Sequence, residues 1–198
     1  MAMIDQFRAN LTGGGARPNQ FMVTINTPGG IPAVKKGGLT LDKISFLCKA
    51  TTLPNTTLGE ITLDFRGRQI FIAGDRASPD PWTTTFLNDT DFMIKNAIEK
   101  WSNGINDFEN NTGVNSSSLY MADLSVYQLD RDEKILKFYK LKNAWPTTTG
   151  AAIPLDMGTR DTVEEFEVTW RYQHFTTSNV GKEVSITNPS PGTSADFD

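Results

Sequence analysis

Residues 46–89 read FLCKATTLPNTTLGEITLDFRGRQIFIAGDRASPDPWTTTFLND, and this stretch decides the fold class. From Glu60 to Phe65 the side chains alternate, with Ile61, Leu63 and Phe65 on one side and Thr62 and Asp64 on the other. That two-residue period predicts a half-buried strand. Gly67 bends the chain before a second apolar run, Gln69 to Ala73, and Trp82 to Leu87 has the threonine-rich, aromatic composition of a third strand. An earlier run, Ile44 to Ala50, ends near Leu53-Pro54-Asn55, because proline holds its predecessor extended and lacks the amide that a ladder needs. Gly74-Asp75-Arg76 is expected to form a turn. Three or four strands so close in sequence make a meander, and such a sheet leaves edges that something must cover.

Upstream, Phe21, Val23 and Ile25 alternate with Met22 and Thr24 as a first strand. Before it, Ile4, Phe7 and Leu11 fall three and four apart, the spacing of one short amphipathic helix. Gly13-Gly14-Gly15 ends that helix as a hinge; it has neither the preceding strand nor the following Lys-Ser/Thr of a phosphate-cradling loop. Residues 26–38 hold Gly29-Gly30, Pro32, Lys35-Lys36 and Gly37-Gly38, which predicts a long loop or mobile hairpin with its lysine pair in solvent.

Downstream, Asn88-Asp89-Thr90-Asp91 supplies capping side chains for a helix near 90–105. Ile94, Ile98, Trp101 and Ile105 recur at helical spacing opposite Lys95, Asn96, Glu99, Lys100 and Asn103, so this helix should lay its apolar stripe on the sheet and stop at Gly104. Leu119 to Leu129 and Lys134 to Leu141 flank Asp130-Arg131-Asp132-Glu133 as a hairpin, ended by Ala144-Trp145-Pro146-Thr147. In the last strand Phe166, Val168, Trp170 and Tyr172 share one face, and Glu165, Glu167, Thr169, Arg171 and Gln173 the other. The expected organisation is one domain over 1–198: an N-terminal segment 1–15, a β core 16–175 and a tail 176–198. The tail has too little apolar surface to fold alone and reads as loose or partner-dependent.

The chain's 198 residues, 38% of them hydrophobic, suit a single core. A formal net charge of −4 argues against a surface built to grip nucleic acid. The amino terminus has no basic-then-apolar signal pattern and no run approaches the roughly 20 apolar residues of a membrane span, so the expected protein has no membrane span and is not exported by the general route. Cys48, the only cysteine, cannot form an internal disulfide and is expected to be buried. His174, the only histidine, sits at a strand end, and one Cys with one His is a poor zinc set. Glu164, Glu165, Asp123 and Asp75 could be paired as glycosidase carboxylates, but any acidic surface offers such pairs. The residues therefore predict no catalytic, metal or cofactor site. The competing class is a monomeric carbohydrate-binding or hydrolytic β domain using Trp82, Trp101, Trp145 or Trp170, each of which falls where packing explains it.

Several short stretches resemble the tail tube proteins of T-even-like contractile bacteriophages. These are Ala16-Arg17-Pro18-Asn19 with Phe21 and Val23, Cys48-Lys49-Ala50-Thr51 with Leu53-Pro54, and Ala73-Gly74-Asp75-Arg76. Asp80 with Trp82-Thr83 and Thr85, then Asn88-Asp89, Trp145-Pro146-Thr147 and Phe166-Glu167-Val168-Thr169, follow in the same order over about residues 16–172. The resemblance implies a mainly β (α+β), sandwich- or barrel-like tail tube fold with one packed helix. It also implies a homo-hexameric ring whose strands join in a continuous inner barrel, and rings that stack into a tube inside a contractile sheath. Partners implied are the sheath protein, the baseplate tube initiator, the tape measure and the tail terminator. Genomic DNA would pass through the lumen without sequence-specific binding, in a virion assembled in the host bacterial cytoplasm. The tube of an injection or type VI-like secretion device, or a baseplate tube initiator, would share that architecture.

Candidates for contacts within the ring are Asp75 and Arg76, with a local ion pair as the alternative reading. For stacking, the candidates are Leu53, Pro54 and Leu58 together with Ile4, Phe7 and Leu11, with packing on their own subunit as the alternative. Glu165, Glu167 and Thr169 are expected to face the lumen or the outer surface. An acidic balance displayed inward would let a polyanion slide, where a lysine-rich bore would hold it. The 26–38 loop and the tail look long against the family pattern and receive no role.

Overall fold

A computed structural model describes residues 2–11, 15–36, 41–150, 153 and 155–178, without the side chains of 2, 35, 36, 41 and 42. Gly13-Gly14, residues 37–40 and the tail beyond Ser178 lie outside the described residues, as do the side chains of Lys35-Lys36. The elements in order are α1 (Ala2–Asn10), β1 (Phe21–Ile25), α2 (Pro32–Lys36), α3 (Leu41–Leu47), β2 (Cys48–Thr51), β3 (Leu58–Phe65), β4 (Arg68–Arg76) and β5 (Trp82–Leu87). They continue with α4 (Met93–Ile105), α5 (Ser117–Tyr120), β6 (Ala122–Leu129), β7 (Ile135–Thr148), β8 (Glu165–Arg171) and β9 (His174–Thr177).

Seven strands join in the order β1-β6-β7-β8-β5-β2, with β9 also on β7, and every pairing is antiparallel. The 14-residue β7 is the hinge of the architecture. Tyr139 to Lys142 lie between β6 and β9, whereas Trp145 to Thr148 pair with β8. The corner is Asn143, whose φ of 55° re-aims the strand. Asp123, skipped in the β6 register, accepts from the Asn143 amide at 3.2 Å and from Lys142 Nζ at 2.8 Å. Both halves share one apolar cluster that includes Val23, Leu124, Val126 and Leu141 with Phe86, Phe166, Val168 and Trp170.

The α4 stripe packs as its spacing predicts: Ile94, Ile98 and Trp101 are buried, and the Trp101 and Trp170 rings meet edge-on at 5.6 Å. Each core indole finds an acceptor. Trp82 donates to Thr52 O, Trp101 to Tyr120 O and Trp170 to the fully buried Thr84 hydroxyl. Asp91 accepts from the Met93 amide at 3.0 Å and so caps α4, which runs one residue past Gly104. A Cβ at Gly104 would lie 2.6 Å from Ile31 Cγ2, so close approach rather than helix termination explains this glycine.

Four expectations are corrected. Ile44 to Leu47 is helical, because three apolar residues in a run of four carry no period that separates helix from strand; Cys48–Thr51 alone is extended. Residues 29–36 are not a mobile loop: Gly30 N donates to Leu119 O at 2.8 Å, and Ile31 and Val34 are buried in the core. β7 continues through Pro146, which sits at a register shift where no ladder donor is required. Finally, Gly74-Asp75-Arg76 is strand, not turn.

Candidate assembly surface

β3 and β4 form a two-stranded ribbon separate from the main sheet. Arg66 (φ 48°) and Gly67 (φ 81°) supply the two left-handed residues that a tight hairpin turn requires. In register, Ile61 faces Ile72, Leu63 faces Ile70 and Phe65 faces Arg68, which collects the apolar residues on one face; Thr62, Asp64 and Gln69 take the other together with Phe71. At the base, a Cβ on Gly74 would lie 3.1 Å from the carbonyl carbon of Gly59, so the two strands cross there only without side chains. The half-burial expected for Glu60 to Phe65 is not met within this chain. Ile61, Leu63, Phe65, Ile70 and Ile72 remain 48–59% exposed, and all of β3 and all of β4 but Gly74 is exposed.

The amino-terminal helix is equally uncovered. Met3, Ile4 and Phe7 are 62–85% exposed, and Leu11, just past α1, is 44% exposed. Between β2 and β3, Leu53 and Leu58 are exposed and Pro54 is half-buried. Asp75 and Arg76 are both exposed, and neither has an ion pair among the described residues; the local Asp75–Arg76 pair is thus not formed. Among the described strands of the main sheet, β1, β2 and β9 are each hydrogen-bonded on one side only. The β1 border is partly covered, because Ser45 of α3 donates to Val23 O at 2.9 Å; an open border offers its amides and carbonyls to a further strand.

The outward face of β8 holds Glu165, Glu167 and Thr169, and across the ladder it meets Leu87, Thr85 and Thr83. Glu165 is ion-paired with Lys49, and Arg171 donates to Pro79 O. The face is therefore rich in hydroxyls, with its cations already engaged and Glu167 exposed. Other charges fasten elements together. Lys43 binds Asp89 and Asp91, and these hydrogen bonds raise its pKa and lower that of Asp91, which pins α3 to the start of α4. At the corner, burial pushes the Asp123 carboxyl up, but Lys142, the Asn143 amide and Lys140 together bring it below its ordinary value. Lys140, 3.7 Å away, is shifted down by burial and by Lys142. Asp123 thus answers Lys142 more closely than Lys140.

The groups weighed for chemistry are dispersed. Cys48 is buried, and burial pushes its thiol up to about 12. His174 is exposed at the start of β9. Glu164 accepts from Asn88 Nδ2 at 2.6 Å, while Glu165 and Asp123 are occupied by lysines. Among the described residues no three of His, Cys, Asp and Glu are placed to hold a metal, and no helix is long and apolar enough to cross a membrane. What the sequence did not reveal was that the ribbon stands apart from the core; its alternation signals a buried face without saying which molecule buries it.

The profile of the phage tail tube protein family matches residues 16–178. This chain belongs to that family. It is 32% identical to the tail tube protein of Enterobacteria phage T4 over 170 residues, covering 85% of this chain and 96% of the relative. It is 30% identical to that of Serratia phage KSP90 over 174 residues, covering 87% and 95%. The fold recurs in a chain from the sheath-tube complex of an extracellular contractile injection system, solved by cryo-electron microscopy (TM-score 0.57, 13% identity, 87% of this chain and 97% of that one). It recurs also in a chain of the anti-feeding prophage baseplate (TM-score 0.57, 14% identity, 84% and 97%). The mainly β tail tube fold read from the motifs is the fold observed.

Proposed function

We propose that this protein is the structural subunit of a phage tail tube, non-enzymatic, whose copies close into six-membered rings that stack inside a contractile sheath and conduct DNA during ejection. The observation that carries this reading is an amphipathic ribbon left uncovered on a chain whose own core is complete. A sheet edge is satisfied when a neighbouring copy adds a strand, and a head-to-tail contact repeated by rotation closes a ring. β1 and β2, with Asp75 and Arg76 at the ribbon base, supply the contacts within a ring. Leu53, Pro54 and Leu58, with Ile4, Phe7 and Leu11, supply contacts between rings.

We assign the outward face of β5 and β8 to the bore. Glu167 and the threonine hydroxyls offer a duplex no array of cations; Lys49 is paired with Glu165, and Arg171, which keeps its charge while donating to Pro79 O, is a single cation on that face. Phosphate contacts are additive along a channel, so their scarcity keeps transit fast. The sheath, a baseplate tube initiator, a tape measure and a terminator complete the set of partners, in a virion assembled in the host cytoplasm. Electron microscopy of the purified protein, alone and with its baseplate initiator, tests the reading. Six-fold rings or hollow tubes are expected; a monomer that persists under both conditions would overturn it and favour a carbohydrate-binding domain.

A further inference from the structure

We propose that α1 of one copy seats on the apolar face of the β3–β4 ribbon of a neighbouring copy, an inference that rests on the tube reading above. The two elements are complementary halves of one layer. A nine-residue helix is marginal in water, as is an isolated two-stranded ribbon, and a ribbon becomes stable when a helix packs on it. Here both stand exposed on the same chain with their apolar sides uncovered.

Their dimensions agree. From Ile61 to Phe65 the ribbon runs about 13 Å at a strand rise, and nine residues of helix cover about 13 Å. The helix presents Ile4, Phe7 and Leu11 at the spacing by which amphipathic helices enter grooves. The ribbon answers with two cross-strand pairs, Ile61–Ile72 and Leu63–Ile70, rimmed by Phe65. Each face presents on the order of 400 Å² of apolar surface, the size at which an exposed patch marks a contact. In a repeating assembly every copy gives one helix and receives one. One junction buries on the order of 800 Å² in total, and each copy, giving one helix and receiving one, buries on the order of 800 Å² of its own surface, so the contact holds as a repeated one rather than as an isolated pair. Charge sets the direction. Arg68 lies on the apolar face at the ribbon tip, so Asp5, in the first turn of α1, points to that end and Arg8 away from it.

Disulfide trapping between two full-length variants tests this. Phe7→Cys is mixed with Leu63→Cys, and Phe7→Cys with Thr62→Cys, on the opposite ribbon face, is the control; native Cys48 is buried and stays silent. Under assembling conditions the first mixture should give at least about tenfold more mixed disulfide, because a bond forms only where Cα atoms come within about 7 Å. Ile4→Cys with Ile70→Cys repeats the test should one variant misfold. Equal yields from both faces would overturn the proposal. So would a bond formed only within one molecule of a Phe7→Cys, Leu63→Cys double variant at high dilution. If wild-type protein builds tubes and no α1–ribbon bond forms, this docking fails and the tube reading stands; if wild-type protein does not associate at all, both fail.

Discussion

Replacing Asp123 by Asn tests whether the corner between the two halves of the sheet is held by charge. The side chain is one quarter exposed, and it receives Lys142 at 2.8 Å, Lys140 at 3.7 Å and the Asn143 amide at 3.2 Å. An amide can still accept from Asn143, so the change removes the charge and leaves the shape. The lost interaction lies between an exposed pair, worth under 1 kcal/mol, and a buried one, worth several, and is about 2 kcal/mol. For a chain of this length that lowers Tm by about 4–8 °C at pH 7. The sign in pH follows from the direction of the shift. The folded carboxyl is held below its unfolded value of about 3.9, so its contribution is complete above pH ~4–5 and is lost as pH falls through the folded pKa. Wild type and Asp123→Asn should therefore converge in acid. Thermal unfolding followed by tryptophan fluorescence between pH 7 and pH 3 measures this. A gap of under 1 °C at neutral pH, or one that stays constant into acid, would show that backbone geometry alone fixes the corner.

Cys48, with its thiol pushed up to about 12, should react with iodoacetamide at pH 8 roughly a thousandfold more slowly in the native protein than after unfolding; comparable rates would mean the core opens at β2. Gly74→Val should leave Tm within about 2 °C of wild type, because the ribbon contributes little to the intramolecular core, yet it should abolish tube formation by forcing the ribbon base apart. Tubes of normal length from this variant, seen by electron microscopy, would remove the ribbon from the assembly mechanism.

How much of this was legible in the sequence depended on which surface each residue meets. β1 and β5 are read correctly because Val23 and Ile25, or Trp82 and Phe86, alternate and also end in the chain's own core. The α4 stripe is legible for the same reason. Ile44 to Leu47 fails because three apolar residues in a run of four cannot distinguish 3.6 from 2.0. Ile31 and Val34 were available as a three-residue spacing but were masked by the glycines around them, whose reason is contact: a Cβ on Gly30 would strike Leu119. Gly74 misleads similarly, being a strand residue pressed against Gly59 rather than a turn. For the assembly surface, Ile4, Phe7, Leu53 and Leu58 were legible as apolar, and their placement is outward. The ribbon was legible as a hairpin, but its expected half-burial is not met within the chain, since a two-residue period records an apolar face without saying what covers it.

Folding and assembly are therefore separable in this chain. The residues that complete the core, Trp82, Trp101 and Trp170, satisfy their own indole donors and need no neighbour. The ribbon and α1 need one and give little in return to the monomer. Such a division lets the subunit fold first and remain in solution, where a net charge of −4 opposes indiscriminate apolar association. It also places the cost of ordering α1 and the ribbon at the moment of docking, which weakens each single contact. A subunit meeting one partner recovers only part of that cost, while a subunit entering a preformed ring end engages both its helix and its ribbon at once. On the proposed assembly, growth at an existing end is favoured over pairing in solution, because only there does a subunit cover both sets of its exposed apolar side chains.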